Sequence, residues 1–504
     1  MPRWFNKRIC LMGITLACVV FFSPSLFNQF TNWDDQVLLT ENPLVRNFSW
    51  ESLRKIFDFH FITYYPPLTL LSFSLEHHFF HLSPFVYHLD NLILHTLNSC
   101  LVFILIYTLV KNLGIAFLTA VLFAVSPLRV ESVAWVAQRK DVLFSFFFLL
   151  SMIAYLRKSF WPCFCFFVLS SLAKIQGLTL PFVLLIMDYF QSQQGGWRLW
   201  RSKWPFWVIG VLFSLLTIKG AWPNYSAIQL FSFSDKFFLS CFAFVLYLIK
   251  SFIPYQLCAI YPYPIKTAGV FPWFVYLSPL FVLLWVVLII RQWKKSPTFV
   301  AGSLIFILNI ILALQSVVSV GSFMNDRFTY LPSVGLYWIA SCWVIDILKT
   351  QWKPIILTGI TMYILLFGYL SFQHCKIWHD GISLWSDVIK QYPQLPFIYD
   401  NRGSSYVEKN LDDLAFKDFS KAIALNPSFA SSYVNRAIIF DKRGAQDLAR
   451  NDFNKAVELA PSYASAYFNR GIFHLRHQEA AEAKSDFQKA QILGLQTPEN
   501  VFSK

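Results

Sequence analysis

The sequence predicts an all-α chain: a polytopic membrane helical bundle followed by a short α-solenoid. Three observations predict it. Of 504 residues, 56% are hydrophobic and only 14% are charged, against about 25% in an ordinary soluble protein. A soluble fold of that composition would expose far too much apolar surface, and a disordered chain has the opposite composition. The charge is unevenly placed: residues 374–504 carry a net +1 and residues 1–373 carry +13. Finally, motifs recur every 34 residues in the last quarter of the chain.

Taken in chain order, eleven apolar runs read as spanning helices, at 9–24, 86–109, 112–127, 142–157, 160–173, 176–191, 205–220, 272–290, 297–318, 331–348 and 354–372. Several are short for a hydrocarbon core about 30 Å thick. Residues 1–24 have the basic start and apolar run of a signal peptide. No A-x-A-like site follows, so an uncleaved anchor is expected. With the N-terminus cytoplasmic, the inner loops collect Arg3, Lys7, Arg8, Lys111, Arg157, Lys158, Arg198, Arg201, Lys203, Arg291, Lys294, Lys295, Lys349 and Lys353. Only Asp188 and Asp346 oppose them at span ends, which is the positive-inside pattern. It requires run 236–254 not to cross fully, so that run reads as re-entrant or interfacial. The odd count then places the tail outside, in a periplasm or a lumen. A bacterial inner membrane is expected, with the endoplasmic reticulum membrane as the alternative. The basic excess is thus a topology signal, and no nucleic-acid partner is expected. The nine cysteines lie mostly in apolar stretches without a CxxC and read as buried thiols.

The tail repeats itself. Asn401-Arg402-Gly403, Asn435-Arg436-Ala437 and Asn469-Arg470-Gly471 are 34 apart, as are Pro393, Pro427 and Pro461. Tyr399, Gly403, Tyr406, Ala415, Phe419, Ala422 and Pro427 occupy tetratricopeptide positions. The organisation expected is a membrane part over 1–373, a connector with a partial repeat helix over 374–395, three repeats over 396–497 and a tail over 498–504. Three repeats make one concave face, where Asn401, Asn435 and Asn469 are candidates for contacting a protein or peptide.

Chemistry is expected where the membrane part is polar. Asn32-Trp33-Asp34-Asp35 follows the first span at the outer face. Adjacent carboxylates there repel, and a base that takes a proton from an attacking hydroxyl needs such a group. The loop PLRVESVAWVAQRKD (127–141) carries Arg129, Glu131, Arg139, Lys140 and Asp141 on the same side. Lys174 and Asn325-Asp326-Arg327 join them. Arg and Lys at an interface can clamp a lipid-linked phosphate, so Arg327, Lys174, Arg139, Lys140 and Arg129 are donor-phosphate candidates. His88, Asn91, His95 and Asn98 share one helical face and, with Glu131 and Asp326, are supporting polar candidates. His77, His78 and His81 read as interface histidines. No P-loop, Rossmann GxGxxG or GxSxG elbow is present, which disfavours nucleotide hydrolysis and serine hydrolysis.

At these residues the chain resembles the transmembrane and tetratricopeptide-repeat O-mannosyltransferases and their bacterial relatives. The matching stretches include Asp34-Asp35 with Asn42-Pro43, 64–98, 126–157, 172–189, YPYP (261–264) and NDRFTYLPSVGL (325–336). The resemblance implies a C-type glycosyltransferase bundle with its site on the outer face. It implies a polyprenyl- or dolichyl-phosphate sugar as donor and a Ser/Thr hydroxyl of a protein as acceptor. Asp34 matches the family's base, with Asp35 beside it, and inversion at the anomeric carbon is implied. The resemblance fixes no cofactor; some C-type relatives use a divalent metal. Two rival readings stand beside the enzyme: a membrane-anchored assembly scaffold and a lipid or glycan transporter.

Overall fold

A computed structural model describes residues 6–58, 66–192, 196–221, 231–314 and 322–495. The described residues are helical apart from connections and one isolated bridge between Thr267 and Val270. The chain divides into two compact units, Met1–His379 and Asp380–Lys504.

The first unit is a helical bundle. Its longest helix, Pro84–Val110, starts on a proline, which loses nothing by lacking an N–H in the first turn. It stops at Lys111, where φ is +53°. Asn112 at once caps the next helix, Leu113–Val125, accepting from Ile115 N at 3.1 Å. Four described helices are long and apolar enough to cross a membrane: Lys7–Phe27, Pro84–Val110, Trp273–Gln292 and Lys353–Ile377. A fifth arises if Leu113–Val125 and Pro127–Ala134, bent by 57°, count as one broken span. This is a membrane protein. Eleven spans are not reached on length, because helices such as Phe160–Ala173, with 14 residues, are only about 21 Å long at 1.5 Å per residue. The run expected to be re-entrant or interfacial is one unbroken helix, Phe233–Phe252, of 20 residues, and it is not among the four helices long and apolar enough to cross. The final residues of the 297–318 run, 315–318, lie outside the described residues, as do Tyr64 and Tyr65.

Bundle helices meet closely where small residues allow it. Gly302 on Pro297–Ile310 faces Gly335 on Ser333–Ile347; a Cβ on Gly302 would lie 2.6 Å from the Gly335 carbonyl oxygen, and one on Gly335 would come closer still to Gly302. Such small-residue crossings are how membrane helices gain packing without a hydrophobic driving force. Gly335→Ala is expected to cost about 1–3 kcal/mol, read as a lower unfolding temperature of the detergent-solubilised chain. An unchanged temperature would contradict this close crossing.

The second unit is a run of antiparallel helix pairs. Asp380 caps its first helix, Gly381–Gln391, by accepting from Ser383 N at 2.8 Å. The pairs are Pro396–Glu408 with Asp412–Leu425, Ala430–Lys442 with Gln446–Leu459, and Ala464–Arg476 with Ala480–Ile492. Each pair carries the same clasp. Arg402 grips Asp418 with two bonds (2.7 and 2.9 Å), Arg436 grips Asp452 (2.7 and 2.9 Å), and Arg470 grips Asp486 (2.8 and 2.7 Å). The 34-residue step of Asn-Arg therefore has a physical cause, a bidentate pair with the Asp 16 positions on, repeated once per unit.

Candidate functional site

The loop after the first helix is held by its second aspartate. Asp35 is buried and accepts from Thr31 N (2.8 Å) and Thr31 Oγ1 (2.9 Å) on one oxygen, and from Ala137 N (2.7 Å) on the other. Burial pushes its carboxyl up to about 6, against the pull of those three donors. The last bond ties the loop to the 135–138 turn. Stacked indoles run beside it: Trp33 on Trp135 (4.4 Å) and Trp135 on Trp378 (5.2 Å). Asp35, expected as a catalytic partner, therefore clamps two loops together.

Asp34 is different. It is half-buried and makes no hydrogen bond to a described residue. It lies close enough to Lys140 and Arg327 to favour their charged forms. Those two cations also feel Asp141, and Lys140 feels Lys174. Asp34, Lys140, Lys174 and Arg327 are all half-buried, so the cluster has a solvent edge. Two of its cations are already paired. Arg327 pairs with the buried Glu131, which also accepts from Arg327 N at 2.9 Å, and Lys174 pairs with the buried Asp141. Lys140 has no ion-pair or hydrogen-bond partner among the described residues. Burial lowers its ammonium to about 8, with Asp34 opposing the shift.

Neighbouring groups hold Arg327 in place. Its guanidinium lies 5.5 Å from the Trp135 ring and 5.0 Å from Phe328. Next to it, Asp326 is buried and shares the Tyr261 hydroxyl between its oxygens (3.0 and 2.9 Å). Burial pushes Asp326 up to about 7. Lys250 bonds Tyr261 in turn, at 3.3 Å. Sequence reasoning missed Lys250 and Tyr261 as partners of this strip, although YPYP contains Tyr261. A cavity of about 10 Å³, room for roughly one water, is lined by Asp141, Lys174, Arg327 and Phe328. Among the described residues these charged groups therefore border only a narrow cleft.

Two of the expected phosphate ligands point elsewhere. Arg139 is buried and spends its donors on Asn91 Oδ1 (2.8 Å), the Tyr87 carbonyl (2.7 Å) and the Glu76 carboxylate. Arg129 is buried with its guanidinium 5.4 Å from the Phe123 ring and 5.2 Å from the Tyr330 ring, donating to Thr329 Oγ1 at 2.8 Å. The stretch 127–138 is wholly buried as short turns rather than laid out as an outer loop.

The polar stripe of Pro84–Val110 works as an inter-helix joint. His95 Nε2 donates to the Ala124 carbonyl (3.0 Å), which leaves Nδ1 to accept from the Tyr330 hydroxyl (2.8 Å). Asn98 donates to the Val142 carbonyl (2.8 Å), and Asn91 to those of Val133 and Trp135 (3.3 and 3.4 Å). His88 is buried, and its ring nitrogens have no hydrogen bond of normal geometry among the described residues. In the repeats, Asn435 donates to Asp400 Oδ1 (3.1 Å) and Asn469 to the Ser465 carbonyl (2.8 Å), so those amides brace the solenoid. Asn401 sits at the matching position on helix Pro396–Glu408. A divalent metal does not fit the charged cluster, because Lys174 and Arg327 already neutralise two of its carboxylates.

The Tetratricopeptide repeat family matches residues 430–463. Over 454 residues the chain is 26% identical to Protein O-mannosyl-transferase F38B6.6 of Caenorhabditis elegans, covering 84% of this chain and 63% of that protein. Its relatives are protein O-mannosyl-transferases. TMTC1 of Mus musculus is 38% identical over 147 residues, 25% of this chain and 15% of its own length. TMTC3 of Homo sapiens is 22% identical over 415 residues, 72% of this chain and 45% of its own. The chain thus spans less than two thirds of the length of these O-mannosyl-transferase relatives. A crystal structure of MamA covers 31% of this chain and 86% of its own at 20% identity, with a TM-score of 0.21, which carries no argument.

Proposed function

We propose that this protein is an integral-membrane glycosyltransferase that moves a sugar, mannose by analogy with its relatives' names, from a polyprenyl-phosphate carrier to a Ser/Thr hydroxyl of a protein. The observation that carries this reading is Asp34: a half-buried carboxylate with no described hydrogen-bond partner, set beside Lys140 and Arg327. In this reading Asp34 takes the proton as the acceptor hydroxyl attacks the anomeric carbon. The bond from that carbon to the carrier phosphate breaks, and the phosphate leaves with the electron pair toward Lys140, Arg327 and Lys174. Attack opposite the leaving group inverts the centre. The pre-placed cations stabilise charge where it develops. The repeats over 396–497 would deliver the acceptor. We further read the membrane part, 1–373, as a C-type bundle of about eleven spans. The N-terminus would be cytoplasmic and the repeats periplasmic, at a bacterial inner membrane.

The test is reconstitution of the full chain with a polyprenyl-phosphate hexose and a Ser/Thr-rich peptide. One hexose on the peptide for each polyprenyl phosphate released supports the reading; carrier movement or peptide binding without transfer refutes it. The pH profile adds a second check. Lys140 loses its charge as pH rises through about 8, so the donor KM is expected to climb above that pH and stay level below it. Arginine stays charged throughout, so Lys140→Arg is expected to abolish the climb. A flat KM in the native chain would remove Lys140 from the phosphate site.

A further inference from the structure

A second cavity of about 380 Å³ lies among helices Arg139–Leu156, Phe160–Ala173, Leu180–Ser192 and Trp204–Ala221. That volume falls within the range of small-molecule sites, about 300–1,000 Å³. None of its lining residues belongs to the Asp34 cluster.

Its deep wall is a charged joint. Lys203 is 3% exposed, donates to Asp188 Oδ2 at 2.8 Å and lies 4.8 Å from the Tyr155 ring centroid. Tyr155 donates to the other Asp188 oxygen at 2.5 Å. The Asp188 charge is therefore offset within the wall. Ser202 Oγ lies 3.0 Å from Lys203 Nζ and is itself exposed at the rim. Lys158, also on the lining, is exposed and has no ion-pair or side-chain hydrogen-bond partner among the described residues. Arg157 and Arg201, adjacent in sequence to rim residues, are exposed as well. The cavity thus presents net positive charge at its mouth and hydroxyl groups inside.

The flanks are apolar. Phe160 lines the cavity, and beside the rim Trp161 is 71% exposed and Trp204 64% exposed. Exposed tryptophan next to Lys and Arg is the composition of a membrane–water boundary. A soluble anion would need the cations but not the indoles; a lipid uses both.

The geometry points to a binding site for an anionic glycerophospholipid, with its phosphate at Lys158, its headgroup hydroxyls against Ser202 and Tyr155, and its acyl chains along Phe160 and Trp161. A choline headgroup gains little here, because Asp188 is already taken by Lys203. The site is independent of the transfer reaction, and its readout does not require it.

The test uses the full chain in detergent, with native mass spectrometry and thermal unfolding. The probes are phosphatidylglycerol, phosphatidylcholine with the same acyl chains, and glycerol 3-phosphate. Phosphatidylglycerol is expected to stay bound and raise the unfolding temperature, while the other two do neither. One basic residue near a lipid headgroup contributes about fivefold, so Lys158→Glu should lower retained phosphatidylglycerol by about that factor or more. Ser202→Trp, which blocks the mouth, should abolish retention. Unfolding without lipid checks that both variants fold; the wild-type comparison of the three probes decides in any case. Equal retention of phosphatidylcholine, or equal stabilisation by glycerol 3-phosphate, overturns the proposal. So does wild-type retention in both variants once they are shown to fold.

Discussion

Asp34→Asn is expected to lose about 10²–10⁴-fold in transfer rate, the usual contribution of a positioned general base, with the unfolding temperature close to wild type. The prediction follows from placement. Asp34 makes no described hydrogen bond, so an amide there leaves no group unpaired. Asp35→Asn should behave in the opposite way. Its oxygens accept from Thr31 twice and from Ala137 once, and an amide nitrogen facing one of those donors costs about 1–3 kcal/mol. That loss would appear chiefly as stability, with activity recovered at low temperature. If Asp34→Asn keeps full rate while Asp35→Asn loses it at temperatures where both are folded, the roles of the two are reversed.

Arg139→Leu is expected to be the most destabilising single change in the bundle, at about 3–5 kcal/mol, because it strands a buried charge partner. Glu76 would lose its cation, and Asn91 Oδ1 and the Tyr87 carbonyl would lose their donors. Thermal unfolding of the detergent-solubilised chain measures this. Combining Arg139→Leu with Glu76→Leu should recover part of the loss, since replacing both ions of a buried pair is far milder than removing one. An Arg139→Leu chain that unfolds normally but has a raised donor KM would restore Arg139 to the phosphate site.

These two cases mark what could be read from the residues and what could not. The repeats were legible because their contacts are local: Arg402 meets Asp418, Arg436 meets Asp452 and Arg470 meets Asp486, each 16 positions on. Such a step recurs at every repeat and shows as periodicity. The membrane character was legible from composition, and Asp34, Lys140, Lys174 and Arg327 were legible as charges in an apolar background that had to find one another. Burial was not legible. In PLRVESVAWVAQRKD, Arg139 and Lys140 are neighbours of similar charge, yet one is locked to Glu76, 63 positions away, and the other is half-buried and feels Asp34. Both open helix Arg139–Leu156, where successive side chains point about 100° apart, so the two face different sides. The polar stripe of Pro84–Val110 posed the same problem. Its spacing places His88, Asn91 and His95 on one face, but a catalytic face and a joint between helices have the same spacing. The bonds from His95 to Ala124 and Tyr330 make it a joint. Tyr261 was hidden for a related reason: its partner Asp326 is 65 positions away.

The central claim is that this chain glycosylates proteins and that Asp34 is the base. The most direct measurement is the intact mass of exported Ser/Thr-rich proteins co-expressed with the wild-type chain, with Asp34→Asn, or with neither. Hexose-sized increments with the wild-type chain alone, at equal membrane levels of both forms, are the predicted result. Increments that persist with Asp34→Asn would contradict the assignment of the base, and their absence with the wild-type chain would contradict the transfer reaction itself.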